Sequence, residues 1–232
     1  LVECPAGLIE VMETLDGVDE VVQAGHGLPT FDTHSALMSL PGLLGTLPDN
    51  VPAEVPYLLA DRRRADEWSI LLRRTVDPGL LRVGLTWEGN PDHRSDSIRS
   101  LDPTLLAPLA EVEGVAFFNL QRNARVQPNF ELFGMSEHCA DFPDTAAAIL
   151  NLDLVISVDT SIAHLAGSLG KPVWTLLAFA ADWRWLLDRD DTPWYPNMRL
   201  FRQPKRGDWM SVIGRVKEEL RKMTGTARQE RG

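Results

Sequence analysis

At 232 residues, 44% of them hydrophobic and 24% charged, the chain can bury a sizeable core and form one large domain or two small ones. A formal net charge of −10 argues against a nucleic-acid partner, which calls for a basic face to neutralise phosphates, so any anion site here is local. Cys4 and Cys139 are too few and too far apart for a disulfide framework or a zinc site; no run of about 18 apolar residues or signal peptide occurs, and the reading is a cytoplasmic protein without a transmembrane segment.

The chain opens at Leu1 with no initiator Met, in an apparent strand, and an upstream part is expected. In chain order, Leu1 to Cys4 reads as a strand, Leu8 to Leu15 as a short helix, and Val18 to Gln23 as a second strand ending near Gly25. Prolines at 29, 41, 48, 52 and 56 break up the stretch from Leu28 to Asp61, with room for one more strand within Thr33 to Leu40. Arg62 to Arg74 places Trp68, Leu71 and Leu72 on one side of an amphipathic helix, closed by Asp77-Pro78-Gly79. These features divide the chain into a partial amino-terminal α/β unit (1–61), a linker helix (62–79), a second α/β unit (80–223) and a fraying tail (224–232).

The second unit alternates strand and helix, the signature of a doubly wound parallel sheet. Its elements are a strand Leu81 to Thr86, a helix Pro103 to Ala110, a strand Val115 to Leu120 and a helix Thr145 to Asn151 capped by Asp144. A strand Leu154 to Val158, a helix from Ile162 capped by Ser161, and strands Val173 to Leu177 and Met198 to Phe201 follow. A terminal helix Trp209 to Met223 carries Trp209, Val212, Ile213, Val216 and Leu220 at helical spacing, a core stripe rather than a functional one.

Chemistry concentrates at the carboxyl ends of these strands, where open α/β sheets bind ligands. After Val158 come Asp159, Thr160 and Ser161, with His164 one turn into the helix. Helix-leading amides and clustered hydroxyls attract phosphate. Such a turn can equally serve only to cap a helix; His164, able to turn a ring nitrogen toward the same anion, favours the functional reading. The loop WEGNPDHRSDSIRS brings Asn90, His93 and Arg99 to the same edge, and Gln121 and Arg122 follow the next strand. Convergence of three such turns suggests a site for a nucleotide diphosphate, with arginine supplying charge and backbone supplying donors.

The pieces GLTWEGNPDHRSDSIRS, NLQRN, DFPDTAAAILNLDLVISVDTSIAHLAGSLGKPVW and DWRWLLDRDDTPWYPNMRLFRQP resemble the carboxyl-terminal half of GT-B glycosyltransferases related to heptosyltransferases, glycosyltransferase family nine. The likeness is to the bacterial proteins in which this region follows tetratricopeptide repeats. FDTHSALMSLP and VPAEVPYL resemble the matching amino-terminal domain more weakly. The resemblance implies two Rossmann-like domains, the first incomplete here, and metal-independent hexosyl or heptosyl transfer from a nucleotide-diphosphate sugar to a glycan or protein acceptor. It implies a donor held by Asn90, His93, Arg99, Gln121, Arg122, Thr160, Ser161 and His164, with Asp159 orienting the turn, and upstream repeats in the full-length protein. It departs at LLAFAADWRW, where alanine stands at 178 and 181 in place of the relatives' prolines.

The relatives' glycine-rich first turn and catalytic base lie upstream of this chain's start, leaving the base unassigned, with Asp32 and His34 as possible acceptor-side groups. A non-catalytic nucleotide-sugar-binding or scaffolding role is the alternative. No cofactor is implied: no G-x-G-x-x-G follows a strand, and no nucleophile elbow occurs. Asp188-Arg189-Asp190 matches a D-x-D metal pattern of another fold, but short acidic loops are common. Trp183, Trp185, Trp194 and Tyr195 read as loop packing before sugar stacking.

Overall fold

The structure is a computed structural model and describes residues 1–229. A short parallel pair, β1 (Val2–Cys4) and β2 (Val21–Gln23), is joined through α1 (Ile9–Met12). The region 33–40 holds no strand: a 3-10 turn at Leu37–Ser39 runs into α2 (Leu40–Leu43), because Pro41 at the helix start removes a donor that a ladder would need. α3 (Arg62–Thr75) starts at Asp61, whose carboxylate accepts from Arg64 N at 2.8 Å.

The main sheet comprises β3 (Leu81–Thr86), β4 (Val115–Asn119), β5 (Phe133–Gly134), β6 (Leu154–Val158), β7 (Val173–Leu177) and β8 (Met198–Arg202). Its spatial order is β5-β4-β3-β6-β7-β8 and every pairing is parallel. The sheet reverses direction of growth between β3 and β6, the kind of switch point where such sheets form a crevice. The expected strands match to within a residue at β3, β4, β6, β7 and β8; the two-residue β5 carries too little pattern to be read from sequence.

The helices of this half are α4 (Asp96–Arg99), α5 (Phe142–Leu150), α6 (Ser161–Ser168) and α7 (Trp209–Gln229), with a 3-10 segment at Pro103–Glu111. α5 begins earlier than its sequence cap implied: Asp141, not Asp144, accepts from the Asp144 amide at 2.8 Å. α7 continues to Gln229, so 224–229 is helical where a fraying tail was expected; the remainder of that tail lies outside the described residues.

Strand residues alternate between two cores, as a sheet covered on both faces requires. Val155, Val173, Phe118 and Leu200 face α3, α5 and α6 with Trp68, Leu72, Ala147 and Ala163; Leu85, Leu154, Ile156 and Leu176 face α7 with Val212, Ile213, Val216 and Leu220. The first core also takes in Val11 of α1 and Leu58, so the amino-terminal elements and the expected linker helix pack directly on the second unit. Leu71 is not part of that face and stays exposed. Arg64 ties the same layer together, bonding Asp141 at 3.1 Å, Asp144 at 2.9 Å and Glu10 at 3.1 Å.

Candidate functional site

At the carboxyl ends of β3, β4 and β6 lies a cavity of about 650 Å³. Its wall toward α6 is the first turn of that helix. Thr160, not Ser161, is the cap: its Oγ1 accepts from Ile162 N at 3.3 Å and meets Ser157 Oγ at 2.9 Å. The reason is positional, since Thr160 has extended backbone and Ser161 is already helical. The Thr160 hydroxyl is thus occupied locally, whereas Ser161 is exposed at the cavity edge.

The loop after β3 forms the opposite wall, held by a chain of polar contacts. Gln121 Oε1 accepts from Trp87 N at 3.2 Å and Glu88 N at 3.0 Å, and its Nε2 donates to the Arg122 carbonyl at 3.2 Å. The buried Gln121 therefore fastens two loops together. Gly89 N donates to Ser100 Oγ at 2.9 Å, and Ser100 Oγ donates to Asp96 Oδ1 at 2.8 Å. Arg99 crosses to the α6 side, where its Nη1 donates to the Asp159 carbonyl at 3.2 Å; its Nε lies 3.5 Å from Asp96 Oδ1. Arg122 and Arg125 add cationic lining, Glu88 and Asp96 acidic lining, and Leu120, Phe142 and Ile162 an apolar part.

The cavity thus gathers Asn90, Arg99, Gln121, Arg122, Thr160 and Ser161 from the expected set. His93, Asp159 and His164 are not on its lining. His93 sits in an exposed turn with its Nδ1 accepting from Ser95 N at 3.2 Å. Asp159 joins through its carbonyl, bound by Arg99. His164 faces the β7 side of α6: Nδ1 is 3.0 Å from Tyr195 Oη, the ring stacks on Trp185 at 5.3 Å, and Nε2 is 3.8 Å from Asp159 Oδ1. Burial pushes the imidazole below its ordinary value, partly offset by the Asp159 carboxylate, so it is neutral at pH 7. Burial likewise pushes the Tyr195 hydroxyl up, keeping it protonated.

Sequence reasoning missed Thr86. This last residue of β3 is 5% exposed and lines the cavity, and its Oγ1 has no hydrogen-bond partner among the described residues. A buried hydroxyl of this kind is costly unless something outside the chain satisfies it. The available signal was its position at the carboxyl edge of a central strand. Glu88, Arg125, Phe142 and Thr145 were missed as well.

Elsewhere, Asp32 and His34 are exposed, the latter in edge contact with Phe31. The loop with Ala178 and Ala181 is anchored where Phe179 N donates to Gln203 Oε1 at 3.2 Å. Arg189, the middle of the D-x-D stretch, pairs with Asp191 at 2.5 Å, and among the described residues no three His, Cys, Asp or Glu side chains cluster as metal ligands. Trp185 and Tyr195 are buried, Trp194 donates Nε1 to the Arg184 carbonyl at 2.8 Å, and Trp183 is 60% exposed. No helix among the described residues is long and apolar enough to cross a membrane.

No family model matches the chain. It is 31% identical over 193 residues to Protein FlbA of Caulobacter vibrioides, covering 78% of this chain and 31% of that protein. Among solved structures, E. coli ADP-heptose lps heptosyltransferase II superposes with a TM-score of 0.51 at 12% identity, over 79% of this chain and 57% of that one. The glycosyl transferase family 9 structure from Veillonella parvula gives a TM-score of 0.47 at 11% identity, over 75% of this chain and 53% of that one. The chain thus spans about a third of the curated relative and little more than half of each solved structure. Its α/β fold with a six-stranded parallel sheet is that of the GT-B glycosyltransferases.

Proposed function

We propose that this region is the donor-binding part of a glycosyltransferase, with the diphosphate of a nucleotide-sugar seated in the cavity between the β3 loop and the first turn of α6. The observation that carries the reading is the unpartnered Thr86 hydroxyl, buried in the wall of a cavity that is also lined by Ser161, the first turn of α6 and Arg99. In the transfer, the bond from the anomeric carbon to the phosphate oxygen breaks and a bond to the acceptor oxygen forms. The acceptor's proton passes to a base, and the nucleoside diphosphate leaves. Negative charge grows on the departing oxygen, so fixed donors at Thr86, Ser161, Arg99 and the helix start stabilise the transition state more than the ground state. Likeness in fold to a heptosyltransferase supports sugar transfer. The donor is a nucleotide-diphosphate sugar of hexosyl or heptosyl type, the acceptor a glycan or protein, and the chemistry independent of metal.

His164 acts from behind the helix in this reading, its neutral ring buttressing Asp159 and the turn through Tyr195 and Trp185. Units 1–61 and 80–223 serve acceptor and donor, tetratricopeptide repeats precede them, and the location is cytoplasmic, as two buried unpaired cysteines support. A second reading, binding without transfer, is favoured by the exposed loop positions of Asp32 and His34, away from the cavity lining. The test is a calorimetric titration of the chain with ADP, UDP and GDP sugars, coupled to an assay for released nucleoside diphosphate with the full-length protein. Binding with release supports transfer, binding alone supports the second reading, and no binding by any of them removes the donor site.

A further inference from the structure

We infer that Gly89 is a positioning residue: its missing side chain is the space through which Arg99 reaches α6. A Cβ placed on Gly89 would lie 2.5 Å from Arg99 Nη2 and 2.7 Å from both Cζ and Nε, closer than real carbon contacts allow. The three nearest atoms it would strike all belong to the guanidinium, the far end of a flexible side chain. Gly89 has no positive φ that would itself demand glycine. An alanine there is therefore compatible with the fold but not with Arg99 where it stands.

The consequence runs through two loops. Arg99 holds the carbonyl of Asp159, the residue just ahead of the Thr160 cap, and so ties the β3 loop to the turn that opens α6. Gly89 itself is fixed by its amide on Ser100 Oγ, and Ser100 by Asp96, the carboxylate beside Arg99 Nε. The backbone at 89 is consequently not free to retreat from an added methyl group, and the guanidinium has to move. Gly89 thus governs the cationic wall of the cavity without offering any group of its own to a ligand.

This inference rests on the donor-site reading for its functional arm and on geometry alone for its structural arm. The experiment is a double-mutant cycle in the whole chain, Gly89→Ala, Arg99→Ala and both together, read by calorimetry with ADP, UDP and GDP and by thermal unfolding. The expected result is that Arg99→Ala and Gly89→Ala each weaken binding by about tenfold or more, as loss of a hydrogen bond to a charged group does. The double variant should be no weaker than Arg99→Ala, and Gly89→Ala should unfold no lower than Arg99→Ala, since both lose the same Arg99 to Asp159 bond. Parental affinity in Gly89→Ala, or losses that multiply in the double variant, would overturn the inference. A crystal structure of Gly89→Ala decides independently of any ligand: Arg99 displaced from the Asp159 carbonyl supports it, and Arg99 retained at hydrogen-bonding distance refutes it. If the parent chain binds none of the three nucleotides, the donor-site reading fails while the crystallographic arm still decides on Gly89.

Discussion

In a Thr86→Val variant the buried hydroxyl at the end of β3 is exchanged for a methyl group of nearly the same shape. Thr86 is 5% exposed and its Oγ1 has no partner among the described residues, so the free chain carries most of the desolvation cost of that group. Such a cost is about 1–3 kcal/mol, and removing even the lower part of it should stabilise the ligand-free chain by about 1 kcal/mol. For a chain of this size that corresponds to a rise in Tm of about 2–4 °C. Binding should move the opposite way: a hydrogen bond to a charged phosphate oxygen contributes about 1.5–3 kcal/mol, so affinity for a nucleoside diphosphate should fall about 10- to 150-fold. Thermal unfolding monitored by circular dichroism and calorimetric titration with ADP, UDP and GDP read the two effects. A variant that melts lower than the parent and binds just as well would refute the reasoning, because the hydroxyl would then serve the fold.

The two hydroxyls at the start of α6 should separate by role. Thr160→Ala should lower stability by about 1 kcal/mol through loss of the cap, while Ser161→Ala should leave stability within about 0.5 kcal/mol and weaken diphosphate binding about tenfold; denaturant titration and calorimetry check both. The His164 imidazole is held below its ordinary value, chiefly by burial, against the pull of Asp159 and Asp182 and with help from Arg184. The unfolded chain therefore takes up that proton first, and stability present above pH of about 6.5 should decline as pH falls further. His164→Asn should lose this part of the decline, seen as urea midpoints between pH 7.5 and 5 that converge toward the parent's at the acid end; parallel midpoints count against it. Gly167→Ala would bring a methyl group 2.7 Å from Tyr195 Cδ1. It should cost about 1–3 kcal/mol by overpacking, measurable by urea unfolding.

The longer strands of the main sheet were legible because each is a short, mostly apolar run bounded by polar turns, as suits parallel strands covered on both faces. Leu154 to Val158, all buried, shows why: only Ser157 interrupts its aliphatic residues, and its hydroxyl donates to the Val158 carbonyl at 2.7 Å. The region before α3 was not legible in the same way. Its prolines rule structures out without saying which short helix replaces them, and Leu37–Leu43 settled as turn and helix where a strand was expected. At the site, residue types on three turns were enough to place Asn90, Arg99, Arg122 and Ser161 around one cavity. The direction of a side chain on a helix was not: His164 lies three positions after Ser161, yet its partners Tyr195 and Trp185 come from a loop far along the chain. Thr86 escaped notice for a related reason. Its significance is the lack of an internal partner, a property of packing that no local pattern records.

The most direct measurement of the central claim is the movement of backbone amide resonances in the isotope-labelled chain on titration with ADP, UDP and GDP. At least one nucleotide should bind, with the largest shifts on the amides of Thr160 to Ala163 and of Trp87 to Asn90. A nucleotide that binds while leaving both groups unmoved, or the absence of shifts with all three, would contradict it.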